Sequence, residues 1–136
     1  MRKIIIGLTL LHPSVVLSDD FNCENAQNTN EINYCAGVDL EKAENEMKNY
    51  FLRSKKQHKH DPELIQSMES SQLAWTSYVE AHCDSIYTKW REGSIRGVMH
   101  LTCKTNLTQQ RTYDLWTNFL TYMDSSPAVL PEPHKP

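Results

Sequence analysis

Asp61-Pro62-Glu63-Leu64-Ile65 opens the stretch DPELIQSMESSQLAWTSYVEAHCDSIYTKW, residues 61–90, on which the reading of the fold turns. An aspartate side chain can accept from the first free amides of a helix. A proline is tolerated at the first helical position, where its missing N–H has no intrahelical partner. Leu64, Ile65, Met68, Trp75, Tyr78, Val79 and His82 then recur at steps close to the helical period. Neither glycine nor proline interrupts the chain between Glu63 and Glu92. The expectation is one long helix running through Trp90, with its aromatic residues in a core.

The same period appears on either side. Upstream, Leu40, Ala43, Met47, Tyr50 and Phe51 trace one face of a helix expected over Val38 to Leu52. Asp39, Glu41, Glu44 and Glu46 crowd its start, and Arg53, Lys55, Lys56 and Lys59 its end. That is the polarity a helix dipole favours, so the charge split has a structural reason before any partner is invoked. Downstream, Gly93 and Gly97 bracket a Ser94-Ile95-Arg96 turn. A last helix is expected over Lys104 to Met123, burying Leu107, Leu115, Trp116, Phe119 and Leu120. Alternating strands and Asn-Gly or Asp-Gly hairpins are missing from the sequence. The fold class read from this is all-α, a small antiparallel helical bundle.

The chain has 136 residues, room for one domain with its own core. Met1-Arg2-Lys3, the apolar run Ile4 to Leu11 and Val16-Leu17-Ser18 form the three parts of a secretory signal, with cleavage expected after Ser18. No small-residue lipobox precedes Cys23, so a lipid anchor is not expected. The organisation that follows is a signal peptide over 1–18, a helical domain over 19–124 and a Pro-rich flexible tail over 125–136. A periplasmic or secreted location follows in turn. Losing residues 1–18 removes Arg2 and Lys3 and leaves 12 basic against 17 acidic groups, a net charge of −5. Such a balance does not point to a nucleic-acid partner.

Cys23, Cys35, Cys83 and Cys103 would all enter an oxidising compartment, where an even count in a small domain reads as two disulfides. Zinc is a poor alternative because no Cys-x-x-Cys pair occurs. Four cysteines allow three connectivities, and sequence does not decide among them. Local pairing, Cys23 with Cys35 and Cys83 with Cys103, is favoured because each bridge closes a modest loop.

No catalytic set stands out. Oxidised cysteines are not nucleophiles, and no serine sits in a Gly-x-Ser-x-Gly elbow. His58 and His60 flank Lys59 beside Asp61, but cationic neighbours oppose metal binding there. His82 is expected to be packed and hydrogen-bonded on the apolar face. Neither a metal, a cofactor nor enzymatic activity is expected.

The ordered set Cys23, Asn33-Tyr34-Cys35-Ala36, Ala43-Glu44, Met47 and Phe51 resembles the first half of the LprI-like family of exported bacterial domains. Gln72-Leu73-Ala74-Trp75, Tyr78, Cys83, Gly93-Ser94, Cys103, Leu107-Thr108 and Arg111 resemble its second half. Three departures stand out. Val79 replaces an arginine that follows the tyrosine, Glu44 and Met47-Lys48 replace an aspartate and a Leu-Asn pair, and the namesake's lipid-anchoring cysteine is missing.

The resemblance implies an exported binding protein that inhibits lysozyme or a related cell-wall hydrolase. The alternative is a non-inhibitory envelope module, an accessory or toxin-immunity protein. Two surfaces are candidates for the partner. One is the acidic stretch Asp19 to Met47, eight acids against Lys42, from which Asp39, Glu41 and Glu44 are singled out. The other is the Ser94-Ile95-Arg96 turn, whose arginine suits bidentate contact with catalytic carboxylates.

Overall fold

A computed structural model describes residues 22–134, so the expected signal segment, residues 1–18, lies outside the described residues. A short 3-10 turn, Cys23–Asn25, is followed by α1 (Thr29–Gln57), α2 (Pro62–Lys89) and α3 (Arg96–Phe119), with no strand among the described residues. Helix α3 packs along both α1 and α2. It runs parallel to α1: Gly97 lies against Asn33 at one end, and His58 Nε2 meets the Phe119 carbonyl at 3.1 Å at the other. Helix α2 is antiparallel to both. The expected all-α bundle is therefore observed, with three helices in up-down-up order.

Local chemistry sets the helix ends. Helix α1 begins nine residues before Val38, at a capping box: Asn28 Oδ1 accepts from the Glu31 amide at 3.0 Å, and Glu31 reaches back to the Asn28 amide. Helix α2 starts as expected, with Asp61 Oδ1 accepting from the Leu64 amide at 2.9 Å and Pro62 at the first helical position. Helix α3 starts at Arg96, not Lys104, and ends at Phe119, not Met123; no side chain caps its first turn. Gly97 is helical for a packing reason. A Cβ there would stand 2.6 Å from Asn33 Oδ1, so glycine lets α1 and α3 close at this end.

Small residues line the rest of that seam. Ala43 and Ser54 of α1 and Thr105, Thr108 and Thr112 of α3 are buried, alongside Tyr50, Leu115 and Leu120. A buried hydroxyl needs an acceptor. Ser54, Thr105 and Thr112 donate to the carbonyls of Tyr50, Leu101 and Thr108, one turn back in their own helices, at 2.8–3.0 Å. Helix α2 buries Met68, Val79 and Cys83. Its Tyr78 and His82 do not enter the core. Both are exposed and stack on each other at 5.4 Å between ring centroids, because α2 is covered along one flank only.

The two disulfides join Cys23 to Cys35 and Cys83 to Cys103, with Cα separations of 5.6 and 5.7 Å, ordinary for such bridges. The first ties the 3-10 turn to α1, and the second ties α2 to α3.

Part of the C-terminal segment, expected as a flexible tail over residues 125–136, lies against the helices. Val129 and Leu130 pack against the cluster of Tyr50, Leu115 and Leu120, and Pro133 is buried. Three hydrogen bonds fix the backbone there: Val129 N–H to the Leu120 carbonyl at 2.8 Å, Trp116 Nε1–H to the Leu130 carbonyl at 2.9 Å, and Tyr50 Oη–H to the Pro131 carbonyl at 2.8 Å. Prolines stop a helix, but they do not stop a chain from seating its apolar residues in a groove.

Candidate binding surfaces

The turn end of the molecule is built by α2 and α3. Ser94 and Ile95 lie in the connection and are exposed, whereas Arg96 is already the first residue of α3. The Arg96 guanidinium lies 4.9 Å from the centroid of the Tyr87 ring. His100, one turn on, sets its ring edge against the same tyrosine at 5.6 Å and its Nε2 3.1 Å from Asp84 Oδ1. A carboxylate only accepts, so His100 Nε2 carries the proton of that bond. Stacking restrains the plane of a guanidinium and leaves the N–H donors at its edge to form hydrogen bonds outward. Arg96 is thus an exposed cation with a restrained orientation rather than a free surface chain.

The acidic residues do not gather around it. Asp39 borders an opening of about 730 Å³ between α1 and α3, beside the Cys23–Cys35 bridge, and pairs with Lys42 at 3.5 Å. Glu44 lies on the other flank of α1, where it lines a second opening between α1 and α2, and Glu41 borders neither. Asn33 is level with Gly97, so the helical rise places Asp39 about 9 Å and Glu44 about 16 Å further along. The turn and the three acids therefore form no single patch.

A second concavity, about 380 Å³, lies between α1 and α2 above α3. Met47, Phe51, Trp75 and Val79 form its walls, with Glu44, Lys48, Glu80 and Lys104 also lining it. Periodicity assigned Met47, Phe51 and Trp75 to the core; in three dimensions they are half-buried, because α1 and α2 flank α3 without closing over it. Val79 closes the apolar wall where the resemblance expects an arginine.

Next to the cleft, Gln72 joins all three helices. Its Nε2 donates to Met47 Sδ at 3.4 Å and its Oε1 accepts from Arg111 Nε at 3.1 Å; Arg111 also reaches Ser71 Oγ at 3.3 Å. Burial lowers the Arg111 pKa, a pull that Asp114 opposes. The Gln72–Arg111 link was not read from sequence, although both residues stood in the family pattern; only the register of α2 on α3 reveals it.

His58, considered beside His60 for a metal, instead donates to the Phe119 carbonyl and sets its ring edge against the Phe119 ring. Among the described residues no group of three or more His, Cys, Asp or Glu side chains is placed to hold a metal ion, and no helix is long and apolar enough to cross a membrane.

By fold and surface the class is a small, disulfide-tied three-helix domain that offers open clefts and an exposed turn. The chain belongs to the family described as lysozyme inhibitor LprI, whose model matches residues 22–115. That is an inhibitor family, so the class of partner it implies is a protein, and two disulfides fit an oxidising compartment. No curated protein and no solved structure matches the chain.

Proposed function

We propose that this protein is exported, is freed of residues 1–18 by cleavage after Ser18, and inhibits a lysozyme or related cell-wall hydrolase by binding it without catalysing a reaction. The observation that carries the reading is the family match over residues 22–115. The charge of the cleaved chain adds to it, because an acidic protein is steered toward a cationic hydrolase. The inhibitory element is the Ser94-Ile95-Arg96 end, where Arg96 meets the hydrolase's catalytic carboxylates. Asp39, Glu41 and Glu44, spread along α1, contribute to steering rather than to one docking patch.

Lysis of a cell-wall suspension by several lysozymes tests this, with the oxidised protein added at rising concentration. A reduced, alkylated sample and an unrelated acidic protein are the controls. Saturable inhibition by the oxidised form alone supports the reading; lysis unchanged at tens of micromolar overturns it. A non-inhibitory envelope module is the second reading. It draws on the apolar cleft at Trp75, with Leu73 and Tyr78 exposed elsewhere on α2.

A further inference from the structure

The residues that seat the C-terminal segment carry an arrangement that the hydrolase reading leaves unused, and Trp116, Leu120 and residues 129–134 all lie beyond the family match. Two aromatic side chains, Tyr50 and Trp116, point hydrogen-bond donors at consecutive backbone carbonyls, those of Pro131 and Leu130. Below them Leu115 and Leu120 receive the apolar pair Val129-Leu130. The seated segment is unusually cheap to order. Pro131 and Pro133 fix their own φ, and each restricts the preceding residue, Leu130 and Glu132, to extended conformations. Prolines also bring no N–H that the groove would have to satisfy. Aromatic donors reading the carbonyls of a pre-extended, proline-containing chain are the chemistry by which proline-rich peptides are recognised between proteins.

We propose that the seam between α1 and α3 is a binding groove for extended peptides of the form apolar-apolar-Pro-x-Pro, occupied here by the chain's own Val129-Leu130-Pro131-Glu132-Pro133. The segment that joins the tail to α3, residues 122–128, is exposed and belongs to no helix, so the tail is tethered rather than continuous with α3. A ligand tethered this way competes at an effective concentration in the millimolar range. A peptide in trans therefore enters only when the tail is unseated. This site is independent of the turn end and of any action on a hydrolase.

The test uses the full chain carrying Leu130→Asp, which places a carboxylate against Tyr50, Leu115 and Leu120 and so unseats the tail. Val129 is left unaltered because it borders Arg53, Lys56 and Lys59, which would pair with a carboxylate. The probe is a synthetic peptide of residues 127–134, followed by Trp fluorescence and calorimetry. The expected result is saturable binding to the opened variant and none to the unaltered chain at the same concentrations. Adding Tyr50→Phe, which deletes one donor, should weaken binding about tenfold. An opened variant that keeps its helical circular dichroism yet binds no peptide overturns the proposal, as does equal binding by the unaltered chain.

Hydrogen exchange on the unaltered chain covers the case in which the opened variant does not fold. The Val129 amide and the Trp116 indole N–H should exchange faster than the Leu115 amide, through release of the tail alone. Equal rates would mean that the tail leaves only when the whole domain unfolds, which also overturns the proposal.

Discussion

Gln72 accepts a hydrogen bond from Arg111 at 3.1 Å while donating to Met47, so one side chain of α2 links α1 to a half-buried cation of α3. The arginine is the costly member, because burial disfavours its charge. Gln72→Ala leaves that charge without its nearest acceptor and should destabilise by about 1.5–3 kcal/mol, the range for a hydrogen bond to a charged group. In an Arg111→Ala background the same substitution should cost less, since no charge is then stranded. Urea denaturation of the two single variants and the double variant measures the coupling. Equal costs in both backgrounds would reduce the link to a spectator contact.

The two disulfides should contribute unequally. They close loops with sequence separations of 12 and 20, a difference worth only about 0.5 kcal/mol of chain entropy. Burial decides the rest. Cys83 is fully buried between α2 and α3, whereas Cys23 is exposed on the 3-10 turn. Cys83→Ala/Cys103→Ala should therefore cost about 2–5 kcal/mol, and Cys23→Ala/Cys35→Ala clearly less. Thermal denaturation of each variant reads this directly, and the reverse order would contradict it.

At the start of α1, the Gln27 amide holds the Glu31 carboxyl below its ordinary 4.5, and the Asn28 backbone and side chain add to the effect. A carboxylate with a depressed folded pKa contributes stability that is present above the unfolded pKa and lost as pH falls through the folded value. The first turn of α1 should therefore loosen as acid is added below about pH 4.5. Amide exchange of residues 29–33 measured down that range should show the change, and Glu31→Ala should flatten it. An unchanged pH profile in the variant would assign the loosening to other groups.

How much of this was legible follows from which forces are local. The helix at residues 61–90 could be read because cap, proline and period all lie within the segment. The start of α1 is hidden although Asn28-x-x-Glu31 is a capping-box signal, because Gly37 reads as a breaker inside the helix. The start of α3 was missed because Gly97 reads as a breaker; its reason, Asn33, is sixty-four residues away. Period alone also does not say how many neighbours a helix has, so Tyr78 and His82 were placed in a core that three helices do not enclose. The contacts of the tail are hidden from sequence for a related cause. Proline content is visible in the sequence, but the donors on Tyr50 and Trp116 that hold it are visible only once the seam is built.

Arg96 gives the sharpest test of the functional proposal, because its structural and recognition roles separate. It is exposed and lies over the Tyr87 ring, an interaction worth about 0.5–1 kcal/mol at an accessible site, so its loss should lower the melting temperature by only a few degrees. If the guanidinium edge meets carboxylates in a hydrolase cleft, Arg96→Ala should weaken inhibition by about tenfold or more, the scale of a charge-assisted pair. Arg96→Lys should recover only part of this, since an ammonium keeps the charge but loses the bidentate fork. Tyr87→Leu supplies the further discrimination. It leaves the arginine but removes the ring that restrains it, so inhibition should fall by less than in Arg96→Ala, with a faster off-rate and a similar on-rate. Binding kinetics of the three variants against one lysozyme decide the matter. Inhibition unaltered in Arg96→Ala would remove the turn as the inhibitory element and direct the search to the apolar cleft at Trp75.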